Sequence, residues 1–118
     1  MPQTALISVL KKRSEFTAVS AVRKRFVTPG FIMQIAPRDP SLTPPIAYGL
    51  TTSKKMVSNL AVDRNRARRR LRALVQEYLP ALGAPHTNYV FLARKEILSL
   101  PHATLRQDLE KAIQRLKL

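Results

Sequence analysis

Hydrophobic residues at helical spacing predict a long amphipathic helix in the middle of the chain. On a helix of 3.6 residues per turn, the residues that share one face fall within an arc of about 100°. These residues are Ala67, Leu71, Leu74, Val75 and Tyr78. Asp63 is the expected N-cap, and Pro80 is expected to end the helix at Leu79 because proline has no backbone N–H. A second stripe predicts a C-terminal helix that begins in the capping-box sequence Thr104–Gln107.

Alternation and continuous apolar runs predict strands elsewhere. In Phe31–Ala36, alternation places Phe31, Met33 and Ile35 on one face and Ile32 and Gln34 on the other. The first face is the better candidate for the core, and the second is expected to be partly exposed. Two further strands are predicted at Ile46–Thr52 and Asn88–Ala93, and the near-continuous apolarity of the latter is typical of a central strand.

The N-terminal third has weaker signals. Residues 1–10 show no clear pattern and are expected to be partly loose, whereas Ser14 is the expected N-cap of a short helix over residues 14–23. The predicted order is helix, two or three strands, helix, strand, helix. Residues 1–118 are therefore expected to form a single α+β domain.

The charge of the chain is strongly positive. Among 118 residues there are 21 Lys+Arg and 7 Asp+Glu, which gives a net charge of +14, and 45% of the residues are hydrophobic. That apolar fraction is too high for a disordered basic tail, so we expect a folded domain with a cationic surface. The partner expected from the charge is a polyanion: nucleic acid first, an acidic membrane surface second.

Composition also excludes several classes of protein. The chain has no cysteine, which excludes disulfides, Cys-ligated zinc and a thiol nucleophile. No apolar run reaches the roughly 18–20 residues of a membrane-spanning helix. Ala5–Leu10 is too short for the apolar part of a signal peptide, so we expect a cytoplasmic protein with no membrane partner.

Arginine is concentrated on the central helix. Arg64–Arg72 contains six arginines in nine residues, and Arg64, Arg68 and Arg72 form one column along the helix. Like charges four residues apart destabilise an isolated helix by about 0.2–0.5 kcal/mol per pair, so stability alone does not account for them. A guanidinium binds phosphate through two parallel hydrogen bonds, which predicts a nucleic-acid-binding helix. The alternative is a solvated basic face.

Acidic and histidine residues are scattered. Only Asp108 and Glu110 are near neighbours, and two residues apart on a helix they point to different faces. A two-metal nuclease needs clustered carboxylates. His86 and His102 each follow a proline and are expected to be loop residues rather than general bases. The sequence therefore predicts a protein that binds nucleic acid without cutting it with its own side chains.

Five segments, in order from about residue 10 to residue 112, resemble the bacterial ribonuclease P protein family. They are Leu10–Phe16, Tyr48–Lys55, Arg64–Arg72, Tyr89–Lys95 and Asp108–Ala112. The resemblance implies a four-stranded sheet packed with helices, in which a left-handed β-α-β crossover contains the basic helix. It also implies a protein subunit of ribonuclease P, one per catalytic RNA, that supports removal of the 5′ leader from precursor tRNA. Mg²⁺ would be held mainly by the RNA.

By position, the resemblance assigns two sets of residues. Those that would face the catalytic RNA are Lys54, Lys55, Arg64, Asn65, Arg66, Arg68, Arg69 and Arg72. Those that would line a cleft for the single-stranded leader are Phe16, Ile32, Gln34, Leu92 and Arg94. The chain departs from the family at Ser20, where an aromatic is usual, and at Met56–Asp63, a longer connection with Ser58 near the usual glycine.

Two alternatives remain open from the residues themselves. An RNA-binding protein such as a ribosomal component would account equally well for the charge and for the arginine helix. A DNA-binding protein could place that helix in a major groove, although no helix-turn-helix partner is evident. Neither alternative accounts for the ordered series of segments.

Overall fold

Three neighbouring strands carry apolar side chains on both faces, which allows helices to cover both sides of one sheet. The computed structural model describes residues 7–118. Its elements in chain order are β1 (Ile7–Val9), α1 (Arg13–Val22), β2 (Lys24–Val27), β3 (Phe31–Pro37), β4 (Ile46–Thr51), α2 (Ala61–Leu82), β5 (Thr87–Ala93), a 3₁₀-helix (Lys95–Leu98) and α3 (His102–Arg115). The strands lie in the order β1-β4-β5-β3-β2. β4 is parallel to β1 and β5, and β3 is antiparallel to β2 and β5.

The predicted α+β class is confirmed, but the sheet has five strands rather than four. β1 lies within residues 1–10, which were expected to be partly loose. Residues 1–6 of that segment fall outside the described residues. β2 follows α1 after a single residue, Arg23. Both strands lie at the edges of the sheet and have only three or four residues, too few for a side-chain pattern to distinguish them from loops. They are strands because their backbones pair with β4 and β3, respectively.

Helix boundaries differ from the predicted ones where capping was inferred from single residues. Leu60, not Asp63, is the N-cap of α2. The Asp63 carboxylate instead accepts a hydrogen bond from the Ser58 hydroxyl at 2.8 Å. Pro80 lies inside α2, which runs on to Leu82 because proline removes only its own N–H. At the end of the helix, the Gly83 N–H donates to the Leu79 carbonyl at 2.8 Å.

The other two helices also begin earlier than predicted. α1 begins at Arg13, with Lys12 rather than Ser14 as its N-cap. The Glu15 carboxylate accepts the Lys12 backbone N–H at 2.9 Å, which satisfies a donor at the helix start. α3 begins at His102, two residues before Thr104.

The two faces of the sheet are covered unequally. On one face, β3, β4 and β5 pack against α2 and α3 around a large core that includes Phe31, Phe91 and Leu71. On the other face, α1 is the only helix within residues 7–118 that covers a smaller core around Val19 and Val90. Because α1 has only 10 residues, part of this second face stays open.

Candidate functional site

The buried stripe of α2 sets the direction in which its arginines point. Ala67, Leu71, Leu74, Val75 and Leu79 are fully buried against the sheet. The residues on the opposite side are exposed: Asn65, Arg66, Arg68, Arg69 and Arg72. Among residues 7–118, ion pairs join Arg94 to Glu96 and Arg106 to Glu110, and His102 lies 3.5 Å from Glu77, so none of these contacts neutralises an arginine of α2.

Arg70 differs from the other arginines of α2. It is partly buried, and its guanidinium donates one hydrogen bond to the Ile97 carbonyl and another, at 2.6 Å, to the Leu100 carbonyl. These carbonyls lie in the 3₁₀-helix and in the turn that leads to α3. Arg70 therefore holds α2 to the start of α3, a role that its place in the arginine run did not reveal.

The loop between β4 and α2 is tied to the first turns of the helix. Arg64 Nη1 donates to the Ser58 carbonyl at 2.9 Å, and Arg68 Nη2 donates to Thr52 Oγ1 at 3.2 Å. Arg64 is accordingly half-buried. Lys54 and Lys55 lie on this loop and are exposed.

An open groove of about 480 Å³ lies between α1, β4 and α2, and we call it the basic groove. β1 ends opposite Tyr48, so the β4 edge beyond Tyr48 has no strand partner among the described residues. Lys11, Arg68 and Arg72 reach the groove around this edge. Its remaining lining is Val9, Leu10, Phe16, Tyr48, Leu50 and Gln76.

A second opening, about 260 Å³, lies between α1 and the open face of the sheet, and we call it the sheet cleft. Its lining residues are Arg13, Phe16, Thr17, Ser20, Gln34, Thr51, Val90 and Leu92. The structure therefore brings together three of the five predicted cleft residues, Phe16, Gln34 and Leu92. Phe16 also lines the basic groove, so the two openings lie on either side of this residue.

The other two predicted cleft residues lie outside this lining. Ile32 pairs with Leu92 and so shares its face of the sheet, where it is half-buried. Arg94 donates to the Thr28 carbonyl at 3.0 Å and lies 3.9 Å from Glu96. Sequence reasoning missed Arg13, Thr17, Thr51 and Val90 as cleft residues. No local pattern marks them, because α1 and three strands meet there only in the fold.

Glycine at position 49 allows Phe16 to lie on the sheet. A Cβ at Gly49 would stand 2.5 Å from both Cε1 and Cζ of the Phe16 ring, closer than any real contact. Gly49 lies on β4, opposite Val90 of β5. The ring thus packs directly on the backbone of β4, and its position depends on the missing side chain.

Several acidic side chains interact with groups close to them. The backbone N–H groups of Lys12 and Lys11 donate to the Glu15 carboxylate and hold its pKa below the ordinary value. The backbone N–H and the hydroxyl of Ser41 lower the pKa of Asp39 in the same way. Among the described residues, no carboxylate lines either the basic groove or the sheet cleft. Both openings therefore suit an anionic ligand.

Residues 7–118 contain no group of three His, Cys, Asp or Glu side chains able to hold a metal ion. Their longest helix is too polar to cross a membrane, and none of the others qualifies.

Known proteins are similar to this chain in sequence and in fold. The family model described as Ribonuclease P matches residues 7–117. The ribonuclease P protein component of Paramagnetospirillum magneticum is 41% identical over 113 residues, covering 94% of this chain and 84% of the relative. That of Ruegeria pomeroyi is 43% identical over 111 residues, covering 93% and 86%.

Two solved structures show the same fold at low sequence identity. The RNase P protein from Thermotoga maritima superposes with a TM-score of 0.75 at 17% identity, covering 94% of this chain and 99% of that one. The Staphylococcus aureus RNase P protein gives a TM-score of 0.70 at 17% identity, covering 91% and 93%. With the family match over residues 7–117, the chain belongs to the bacterial ribonuclease P protein family and is the protein subunit of the ribonucleoprotein endoribonuclease that processes the 5′ end of tRNA.

Proposed function

We propose that the basic face of α2 binds the catalytic RNA of ribonuclease P and that the sheet cleft binds the single-stranded 5′ leader of precursor tRNA. The observation that carries this proposal is that Phe16 lines both openings, which places them next to each other. A ligand on the arginine face and a strand in the cleft would then come together at one place. That arrangement suits a protein that holds a substrate beside a catalytic RNA.

The RNA-binding surface comprises the exposed α2 residues together with the loop lysines. Arg66, Arg69 and Arg72 extend from the helix into solvent and would bind phosphate oxygens through charge-assisted hydrogen bonds. Asn65 would add a neutral hydrogen bond between them. Arg64 and Arg68 already hold the β4–α2 loop, so they would both shape this surface and add charge to it. Lys54 and Lys55 would extend it.

The sheet cleft offers an apolar floor with polar edges. Val90 and Leu92 form the floor, and the Phe16 ring stands beside it. Unpaired bases bind to such surfaces by stacking. A base inside a duplex is already stacked between its neighbours and is not available for this contact. Arg13 at the edge would bind a phosphate. Ile32 would continue the floor beyond Leu92, and Arg94 would lie past its end.

Mg²⁺ would be held mainly by the RNA, with one protein joining each RNA. The donor set supports this assignment, since residues 7–118 offer no cluster of three metal-ligating side chains. We also propose that α2, which connects the parallel neighbours β4 and β5, makes this connection with the left-handed sense implied by the family.

Reconstitution with the matching catalytic RNA tests the proposal. Added protein is expected to increase precursor-tRNA cleavage at low Mg²⁺, because the arginine face offsets phosphate repulsion that Mg²⁺ would otherwise screen. The protein alone is expected to cut nothing. Cleavage that stays unchanged at low Mg²⁺ on adding protein would contradict the proposal.

Replacing Gly49 with alanine tests the cleft. The new methyl group should displace the Phe16 ring, lowering the free energy of unfolding by about 1–3 kcal/mol and weakening binding of precursor tRNA. Affinity for mature tRNA, which has no leader, should not change. In the double variant F16A/G49A the clash is gone, so stability should recover in part while leader affinity stays low. Normal leader affinity in the folded double variant would contradict the assignment of Phe16.

A further inference from the structure

A third opening of about 440 Å³ lies beside the sheet cleft, at the β2 edge of the sheet. Ser20, Arg23, Arg25 and Gln34 line it. Ser20 and Gln34 line the sheet cleft as well, so the two openings are neighbours on the same face. Their combined lining extends across this face from β4 to β2, about 14 Å or three spacings between strands.

Arg23 has a backbone conformation that favours glycine. It is the C-cap of α1 with φ at 63°, in the left-handed region, and its N–H donates to the Ser20 carbonyl at 3.2 Å. A Cβ is sterically unfavourable in this region, so glycine is the residue that most often ends helices this way. Helix termination alone therefore does not account for an arginine here. The same turn leads directly into β2.

Register places Arg25 at the same opening. Arg25 pairs with Gln34 of β3, and paired residues of neighbouring strands share one face of a sheet. Arg25 is exposed on the edge strand. Within residues 7–118, neither the Arg23 nor the Arg25 side chain has a hydrogen bond or an ion pair, and no carboxylate lines the opening.

We propose that Arg23 and Arg25 form a phosphate-binding subsite for the part of the leader farthest from the cleavage site. This inference rests on the proposed function of the sheet cleft. A leader that starts near Phe16, which lines both the cleft and the basic groove, would cross Leu92 and Gln34 and leave the protein between the two arginines. At the position of Ser20 the family usually has an aromatic residue. The small serine side chain keeps this end of the cleft open, and polar contacts to the sugar–phosphate backbone of the leader take the place of stacking on a ring.

The test uses the double variant R23G/R25T with a series of precursor tRNAs whose leaders lengthen one nucleotide at a time. Glycine suits the left-handed C-cap and threonine suits a strand, so thermal unfolding should show no loss of stability. Affinity of the reconstituted holoenzyme for short leaders should match that of the original protein. Beyond a threshold length, the variant should bind more weakly by roughly tenfold for each lost phosphate contact, with a log–log salt slope shallower by about 0.7 per lost contact.

A matched control removes two charges from the other side of the sheet. Lys111 and Arg115 are exposed on α3, so K111A/R115A should leave the length dependence unchanged. Equal affinity of R23G/R25T and the original protein for every leader length would overturn the proposal. So would a weaker association of R23G/R25T with the catalytic RNA alone, since the arginines would then bind that RNA. If F16A/G49A also binds every leader normally, the cleft assignment itself has failed.

Discussion

Replacing Arg66 and Arg68 with alanine is expected to weaken association with the ribonuclease P RNA by roughly a hundredfold. Both side chains are exposed on the face of α2 that carries no ion pair in the described residues. Each charge-assisted hydrogen bond to a phosphate contributes at least about 1.4 kcal/mol, a factor of ten in affinity. Each lost contact should also reduce the log–log salt slope by about 0.7–0.9.

Filter binding or fluorescence anisotropy across a salt series measures both quantities. The variant R66K/R68K separates charge from shape, because lysine keeps the charge but lacks the planar fork. It should retain the salt slope and lose only part of the affinity. A slope that does not change in R66A/R68A would show that these arginines are not at the RNA interface.

Replacing Arg70 with alanine is expected to lower the stability of the protein and to leave its RNA affinity almost unchanged. This result would be the opposite of that expected for R66A/R68A. The guanidinium hydrogen-bonds the carbonyls of Ile97 and Leu100, and it is partly buried. Without it, two acceptors lose their donor and α2 loses its link to the start of α3. The free energy of unfolding should fall by about 2–3 kcal/mol. Urea denaturation measures the loss.

The neighbouring residue provides the matched control. Arg69 is exposed, and its side chain has no hydrogen bond or ion pair within residues 7–118. R69A should therefore keep the stability of the original protein and lose RNA affinity, the reverse of R70A. RNA binding by R70A is measured at a temperature where it remains folded. An equal loss of RNA affinity in folded R70A and in R69A would mean that Arg70 contacts the RNA.

Periodicity alone predicted the parts of the fold whose burial repeats along one element. The α2 stripe is buried at Ala67, Leu71, Leu74 and Val75, as predicted, and Tyr78 is half-buried. The alternation in β3 is also confirmed, with Phe31, Met33 and Ile35 buried and Ile32 and Gln34 half-buried. A helix or strand that packs on one core repeats its apolar face at 3.6 or 2 residues, so the pattern is visible locally.

Features that depend on a distant partner were mispredicted or missed. β1 and β2 exist because β4 and β3 supply their hydrogen bonds, and neither has a side-chain pattern long enough to identify it. Asp63 looked like a helix cap, but the loop folds back so that Ser58 donates to its carboxylate. Arg70 looked like its neighbours in the arginine run. Its acceptors lie 27 and 30 residues further along the chain.

Three features follow from the order of the residues alone: the excess of positive charge, the concentration of arginine on one helix, and the ordered segments that indicate the family, which the match over residues 7–117 confirms. The packing of separate elements was needed to show that Arg70 supports the fold, that Phe16 lines both the basic groove and the sheet cleft, and that Arg23 and Arg25 share one opening. The two groups of features differ in the range of the interactions that produce them. Charge and periodicity are properties of neighbouring residues, whereas a groove exists only where separate elements pack together.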